Sequence, residues 1–192
     1  MCCQHSLFFI PALAALLAII LLLINKLKYY FRLSETDELT SLPNYRSFRR
    51  KLKKALLIHK KNDTAISVAI LDIDGFRRFN NHSYALGDKV LQDFVVSLKG
   101  DLPENAFMAR FRLGDEFVLI LPYPMAKATE KLNGIAEKSK SRIHKNKTHK
   151  MEYSLSFSFG VAGFEKGKDS VESLLEKAEQ ALKENKKLKS NP

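Results

Sequence analysis

The amino-acid sequence has the composition of a folded protein. It contains 192 residues, of which 45% are hydrophobic and 28% are charged, a balance that excludes a disordered tail. Its eight glycines and six prolines are too few for a collagen-like or low-complexity chain. The formal net charge is +11, so the composition is compatible with a partner that carries phosphate groups. The length accommodates one domain of about 100–200 residues together with a short appendage.

An uninterrupted apolar block lies near the N-terminus. Residues 7–24, LFFIPALAALLAIILLLI, include no charged or strongly polar side chain. About 18–20 such residues in a helix cross a bilayer core of about 30 Å, so the pattern predicts one transmembrane helix. The segment before the block lacks lysine and arginine, and no A-x-A cleavage site follows it. These features favour an uncleaved membrane helix over a signal peptide.

The flanks of this block predict its orientation. No lysine or arginine precedes the block. Three basic residues follow it closely, namely Lys26, Lys28 and Arg32. By the positive-inside rule, we expect a single-pass protein of the bacterial inner membrane whose C-terminal part is cytoplasmic. Residues 1–6, with Cys2 and Cys3, are then a short outer stub, and 25–36 form a helical linker to a domain at 37–190.

From residue 43 onwards the pattern alternates between helices and strands. The predicted elements are a helix over 43–59, a strand over 65–71, a helix over 88–98, a hairpin of strands 107–112 and 116–121, a helix over 125–143, a strand over 153–161 and a helix over 170–188. The order β-α-β-β-α-β is that of the ferredoxin-like, or palm, fold, whose two helices pack on one face of the sheet. We therefore predict a domain of the α/β (α+β) class, an antiparallel sheet with helices on its faces.

Acidic residues cluster where the predicted strands end. Asp72 and Asp74 follow the first strand, and Asp115 and Glu116 lie in the turn of the hairpin. In a palm-like sheet the first strand and the hairpin are side by side, so these carboxylates are expected to be neighbours. Carboxylate oxygens suit Mg²⁺ or Mn²⁺, and such ions assist phosphoryl transfer. Taken alone, the D-x-D pair also fits a simpler interpretation, in which both aspartates cap the next helix.

Short motifs follow one another in the order and spacing of a known family. They are DELTSLPN at 37–44, DIDGFRRFN at 72–80, GD at 87–88, LGDEF at 113–117, SFGVA at 158–162 and AEQAL at 178–182. Together they resemble the motifs of the GGDEF family of nucleotidyl cyclases, over residues 37 to about 190. The resemblance implies the palm-like nucleotidyl-cyclase fold. It also implies that two GTP molecules are condensed into cyclic di-GMP and pyrophosphate, with each subunit of a homodimer holding one GTP.

The resemblance further implies catalytic and metal-binding residues. Asp72 and Asp115 would bind Mg²⁺ or Mn²⁺, assisted by the carbonyl group of Ile73. Asp115, or Glu116 beside it, would help to activate the 3′-hydroxyl group that attacks the α-phosphate of the second GTP. These roles require oxygen ligands and a base in one place, and the acidic cluster supplies both.

Four more residues are implied to bind the substrate. Asn80 and Asp88 would bind the guanine edge, where an amide and a carboxylate complement its acceptor and donor groups. Gly114 would let the backbone approach the phosphates. Lys186 would place a positive charge beside the triphosphate.

The sequence departs from the family pattern at three places. The signature reads LGDEF, so one of its two glycines is deleted or replaced by Leu113, which cannot easily adopt a positive φ. The loop after Asn80 is one residue shorter than usual and lacks a glycine and a histidine. Ser190 stands where the family has a phosphate-binding arginine, although Lys189 can partly substitute. These changes predict a weak cyclase or an inactive domain.

A product-inhibition site is not expected. The family's R-x-x-D motif lies just upstream of the signature, but residues 101–108 of this chain read DLPENAFM. If the domain forms cyclic di-GMP, we expect no feedback from that product.

Two alternatives to an active cyclase stay open. The first is a degenerate GGDEF domain that dimerises, binds a partner or binds GTP without catalysis. The second is a membrane-tethered RNA-binding module, since segment 138–150 is basic and RNA-binding domains share this topology. Such a module needs exposed aromatic side chains on its central strands, and the candidates, Phe107 and Phe111, alternate as core residues do. The basic segment is therefore interpreted as a solvated face, and nucleic acid is not the expected partner.

Overall fold

A computed structural model describes residues 6–33, 35–62, 64–112, 114–146, 148 and 150–190. The outer stub with Cys2 and Cys3 lies outside the described residues, apart from the helical backbone of its last residue, Ser6, and so does Leu113 of the signature. The chain divides into two compact units, Met1–Thr36 and Asp37–Pro192.

Helix α1 (Ser6–Leu33) makes up most of the described part of the first unit. The helix continues through most of the predicted linker, as expected. Within the part of the chain that the structure describes, no helix has both the length and the apolar character needed to cross a bilayer. The predicted transmembrane helix over 7–24 is thus not supported, and neither is the membrane placement derived from it.

The second unit contains all the strands and the remaining helices. Its elements are α2 (Tyr45–Asn62), β1 (Ser67–Ile73), α3 (Arg77–His82), α4 (Tyr84–Asp101), β2 (Phe107–Arg110), β3 (Glu116–Leu121), α5 (Met125–Ser141), β4 (Ile143–Asn146), β5 (Met151–Ser154), β6 (Phe157–Gly163) and α6 (Val171–Ser190). Four strands form an antiparallel sheet in the order β2-β3-β1-β6. The palm-like arrangement is therefore present, and β4 and β5 form a separate hairpin.

Hydrophobic cores lie on both faces of the sheet, because successive residues of a strand point to opposite sides. Helices α4 and α5 cover one face, which receives Leu71 of β1 and Phe117 of β3. Helices α2 and α6 cover the other, which receives Val68 and Ile70 of β1. The two helices of the β-α-β-β-α-β unit thus share one face as predicted, while the first and last helices of the domain bury the second face.

Several boundaries differ from those predicted. The strand predicted over 65–71 is displaced by two residues to β1, so that Asp72 lies inside the strand rather than after it. The strand predicted over 153–161 divides into the last two residues of β5 and the first five residues of β6, which continues to Gly163. Helix α3, strand β4 and the hairpin that β4 forms with β5 were not predicted. The hairpin overlaps the basic segment 138–150. Polar and charged residues such as Lys145 fill this segment, so its sequence lacks the alternation of apolar and polar residues that predicts a strand.

One glycine allows β6 and α6 to touch through their backbones. A Cβ atom at Gly160 would overlap the backbone oxygen of Ala178 and the backbone nitrogen of Leu182. Any larger residue would therefore push the helix away from the sheet. Since Lys186 lies one turn beyond Leu182, this close contact also determines the position of its ammonium group.

Candidate active site

Three polar side chains lie in one row across the sheet. Asp72 of β1 is directly opposite Glu116 of β3 on one side and Ser158 of β6 on the other. Residues that are opposite in register share a face of the sheet, and this face is the one covered by α2 and α6. Asp115 precedes Glu116, and its carbonyl group accepts a hydrogen bond of 3.4 Å from the backbone N–H of Ile73. The structure therefore brings the acidic residues of the first strand and of the hairpin together.

The last helix places two lysines beside the first strand. Lys186 Nζ lies 2.7 Å from Asp72 Oδ2. One turn later, Lys189 Nζ lies 3.0 Å from Asp74 Oδ2 and donates a hydrogen bond of 2.8 Å to the carbonyl oxygen of Phe157. These lysines, together with Asp72, Asp74, Gly75 and Ser158, line an open cavity of about 510 Å³.

The aspartates of the first strand do not cap a helix. Phe76 is the N-cap residue of α3, and no side chain caps that helix. Asp74 instead accepts a hydrogen bond of 2.6 Å from the hydroxyl group of Ser158 in addition to the contact with Lys189. The simpler interpretation of the D-x-D pair, as helix caps, is wrong.

The surroundings act in opposite directions on the carboxyl groups of this site. Burial raises the pKa of Asp115, and the nearby charge of Asp72 raises it further. The pKa of Glu116 is raised by the same two causes, burial and then Asp72. Burial also raises the pKa of Asp74, but the hydrogen bonds from Ser158 and Lys189 outweigh burial and leave that pKa lowered. The signature carboxylates thus crowd one another, whereas Asp74 is stabilised in its charged form.

The donor set is suited to a hard divalent cation. Asp72, Asp115 and Glu116 repel one another, and a cation among them would relieve this repulsion. The carbonyl group of Ile73, a predicted ligand, accepts a long hydrogen bond of 3.4 Å from the backbone of Phe76. Among the residues that the structure describes, no three histidine, cysteine or acidic side chains already converge as a metal cage. The site is therefore one of paired carboxylates in an open cavity.

The predicted guanine-binding residues lie on α3 and α4. Asn80 is half-buried on α3. Its Oδ1 atom lies so close to Gly87 of α4 that a Cβ atom at this glycine would clash with it. Asp88 is the next residue and is exposed. Asn80 and the first turns of α4 are therefore adjacent, and the turn from Asp74 to Phe76 connects them to the end of β1.

The opening motif at 37–44 has a structural role that the sequence does not predict. Asp37 Oδ1 accepts hydrogen bonds from the backbone N–H and the hydroxyl group of Thr40. The guanidinium group of Arg110 donates to both oxygens of Asp37, at 2.9 and 3.1 Å, and also to the carbonyl of Gly114, at 2.7 and 3.2 Å. Arg110 thereby ties the start of the domain to the turn that precedes Asp115. The only sequence signal was the charge of Arg110 at a strand end.

Comparison with known proteins identifies this arrangement. The profile described as "Diguanylate cyclase, GGDEF domain" matches residues 34–192. The chain belongs to the GGDEF family. It is 35% identical to the diguanylate cyclase DgcP of Pseudomonas aeruginosa over 150 residues, which are 77% of this chain and 22% of DgcP. It is 32% identical to the diguanylate cyclase TpbB of the same species, over 76% of this chain and 34% of TpbB. The chain thus spans about a fifth and a third of these relatives.

Solved GGDEF structures share the fold. The coiled coil and GGDEF domain of DgcB from Caulobacter crescentus, solved in complex with c-di-GMP, superposes with a TM-score of 0.79 at 27% identity. The match covers 93% of this chain and 94% of the solved DgcB chain. The GGDEF domain of TpbB from Pseudomonas aeruginosa superposes with a TM-score of 0.73 at 29% identity, over 80% of this chain and 89% of that domain.

The signature turn of this GGDEF member takes an unusual conformation. The backbone N–H of Phe111 donates to the carbonyl of Glu116, which leaves four residues, 112–115, to reverse the chain. Arg112 has φ 54° and Gly114 has φ 109°, so an arginine occupies one of the left-handed positions of the turn. A non-glycine residue in that region costs on the order of 1 kcal/mol or more. Cation–π contact with Phe111, at 4.6 Å, and an ion pair with Glu179, at 2.8 Å, hold Arg112 in place.

Proposed function

We propose that this GGDEF domain is a diguanylate cyclase that condenses two GTP molecules into cyclic di-GMP and pyrophosphate. The observation that carries the proposal is the row at one end of the sheet in which Asp72 lies opposite Glu116, next to Asp115 in the chain, and 2.7 Å from Lys186. Two carboxylates with raised pKa values and a lysine beside an open cavity suit a nucleoside triphosphate and its metal ion. The diguanylate cyclases among the relatives support the same activity.

In this proposal, each residue acts on a defined part of the reaction. Asp72, Asp115 and the carbonyl group of Ile73 hold Mg²⁺ or Mn²⁺, which supplies positive charge to the phosphates when it is bound. Lys186 binds the phosphates as a point charge, and Asn80 and Asp88 bind the guanine edge. Gly114 leaves room for the phosphates at the turn.

The chemical step is an in-line phosphoryl transfer. The 3′-oxygen of one GTP forms a bond to the α-phosphorus of the other, the bond between the α-phosphorus and the bridging oxygen breaks, and pyrophosphate leaves. Asp115 or Glu116 takes the proton of the 3′-hydroxyl group, a role that a raised carboxyl pKa favours. Two such transfers close the cyclic product. Because each site holds one GTP, the reaction requires two copies of the domain that face each other.

The test is a direct assay of the purified domain, residues 35–192, with GTP and Mg²⁺. We expect cyclic di-GMP and pyrophosphate in a ratio of one to two, measured by chromatography and phosphate release. Asp72→Ala removes product, whereas Glu152→Gln, which changes an exposed acid on β5, does not. Absence of product from the unaltered domain, even when it is fused to a dimeric coiled coil, would refute the proposal.

A second candidate function is GTP binding without turnover, and one feature favours it. Lys186 and Lys189 already pair with the acidic residues of the first strand, at 2.7 and 3.0 Å, so the site carries its own counter-ions. Calorimetry would then detect GTP binding that depends on Lys186 while no cyclic di-GMP is formed.

The RNA-binding alternative lacks its stacking platform. Phe111 is 1% exposed, and Phe107 packs against the core on the face of α2 and α6. The expectation of a core position is confirmed for Phe111, whereas Phe107 is only partly buried at the edge of that core. We therefore do not propose that the strands of this domain bind RNA.

A further inference from the structure

Helix α2 carries an unusual outer face. The helix contains eight lysines and arginines and no acidic residue. Phe48, Leu52 and Leu56 are buried against the sheet. At 100° per residue, Arg50, Lys54, Leu57 and Lys61 fall on the opposite side, with Lys53 and Ile58 flanking them. The face directed away from the core therefore combines positive charge with two branched aliphatic side chains.

The two aliphatic side chains are largely exposed to solvent. Leu57 is 63% exposed and Ile58 is 57% exposed, and they are adjacent in the chain. A groove of about 560 Å³ runs from Leu57 towards the start of α6, and its apolar lining continues through Leu56, Phe164 and Val171. Burying such side chains against an apolar phase is favourable because it removes apolar surface from water.

The positive charge of this face is largely uncompensated. Among the described residues, no acidic side chain lies within ion-pair distance of Lys53, Lys54, Lys60 or Lys61. On the far side of the groove, Glu172 pairs with Arg49 and Asp169 pairs with Lys177, so these acids are already neutralised. The surface thus presents several free ammonium groups around an apolar centre.

We propose that the outer face of α2 is a docking surface for a bilayer that contains anionic phospholipid. Lysines around an apolar centre match a layer of phosphate groups that overlies acyl chains. A nucleic acid also offers phosphates, but it stacks on aromatic rings and provides no apolar layer for leucine and isoleucine. This surface uses none of the residues of the proposed cyclase site, so it stands or falls independently of that activity.

The experiment uses the isolated domain, residues 35–192. All members of both cores lie between Leu42 and Leu182, so this fragment keeps the whole core. Binding to sedimented vesicles is measured for pure phosphatidylcholine and for phosphatidylcholine mixed with phosphatidylglycerol. We expect binding to the anionic vesicles alone, and weaker binding at higher ionic strength.

Two variants separate the contributions of charge and of apolar contact. Replacement of Lys53, Lys54 and Lys61 by glutamine should weaken binding by up to about fivefold for each lysine removed. Replacement of Leu57 and Ile58 by serine, which leaves the charge unchanged, should weaken it about tenfold. All five side chains are exposed, so thermal unfolding of both variants should match that of the unaltered domain.

The matched control removes three lysines from the other side of the sheet. Lys99, Lys127 and Lys131 lie on α4 and α5, and their replacement by glutamine causes the same loss of net charge. The control should bind within about twofold of the unaltered domain if the α2 face makes the contact. Equal losses from both lysine variants, or full binding by the serine variant, would overturn the proposal. So would binding of a single-stranded RNA through the same lysines without binding to vesicles.

Discussion

The two carboxylate pairs at the end of the sheet have opposite surroundings. On β1 and just after it, Asp72 and Asp74 each have a lysine of α6 within 3.0 Å. At the start of β3, Asp115 and Glu116 have no ion-pair partner among the described residues, and their pKa values are raised. The difference indicates a division of labour. The first pair binds the lysines of the last helix, and Asp72 is in addition a proposed metal ligand, whereas the second pair is held in an unfavourable state that a cation or a proton can relieve.

The largest expected effect distinguishes the two pairs directly. If Asp115 is a metal ligand and base as proposed, Asp115→Asn should reduce cyclase activity by at least about 10³-fold. Asp74→Asn makes the same change of charge in the first pair and should retain activity within about tenfold, since the amide still accepts a hydrogen bond from Ser158. Initial rates of cyclic di-GMP formation provide the measurement. Equal losses in the two variants would show that the division does not exist.

The two lysines provide the next contrast. Lys186→Met should lower activity about 10²-fold and raise the KM for GTP, because the proposed role of this charge is to bind the phosphates. Lys189→Met should act mainly on stability, because its ammonium group binds Asp74 and the carbonyl of Phe157. We expect a loss of about 1 kcal/mol and a fall in Tm of about 2–4 °C. Steady-state kinetics and thermal unfolding of both variants measure these effects, and a purely kinetic effect of Lys189→Met contradicts the assignment.

The crowding of the second pair predicts a stability that depends on pH. Because the pKa of Asp115 is raised in the folded state, its ionised form destabilises the fold at neutral pH. Asp115→Asn should therefore raise the Tm at pH 7, by about 2 °C. This gain should shrink as the pH falls through the raised pKa and be absent below the ordinary value of 3.8, where the carboxyl group is protonated in both states.

Controls for this stability effect are available within the chain. Glu104→Gln removes the same charge from an exposed turn and should leave the Tm unchanged at every pH. Added Mg²⁺ should stabilise the unaltered domain more than the Asp115→Asn variant, since binding to the folded state alone raises its stability. A lower Tm for Asp115→Asn at pH 7 would mean that the signature carboxylates are not in repulsion.

The smallest expected effect concerns product inhibition: cyclic di-GMP should not inhibit its own formation. The initial rate should not change when cyclic di-GMP is added at a concentration that saturates the product-inhibition site of other family members. The reason is that no R-x-x-D motif lies just upstream of the signature in this chain. The measurement is the rate of pyrophosphate release with and without added product. Non-competitive inhibition at concentrations well below the KM for GTP would contradict this prediction.

The sequence predicts the fold well where the apolar pattern is strong. The strands β1 and β3 are continuous runs of buried residues, and the motifs in and around them identify the family. The sequence does not predict α3 or the β4–β5 hairpin, because these elements are short and polar and owe their conformation to neighbouring parts of the fold. The apolar N-terminal block shows the opposite problem, since hydropathy alone predicted a membrane span that the described helix does not support.

The site is predictable to a similar degree. The acidic residues and Lys186 follow from motifs that lie at the ends of recognisable elements. The clamp of Arg110 on Asp37 and Gly114 does not follow, because it joins residues 73 positions apart and depends on how the chain enters the domain. The pairing of Lys189 with Asp74 spans 115 positions and likewise depends on the packing of α6. Such contacts require the three-dimensional arrangement.

The bare backbone at Gly160 has a consequence for control of the site. Strand and helix meet there without a spacer, so the height of α6 above the sheet determines whether the ammonium group of Lys186 reaches Asp72. A single methyl group at this position would lift the helix and separate the pair without changing a charge. The charge balance within the cavity thus depends on the position of one helix relative to the sheet. A partner that shifted the end of that helix would therefore change the distance between Lys186 and Asp72 without contacting either residue.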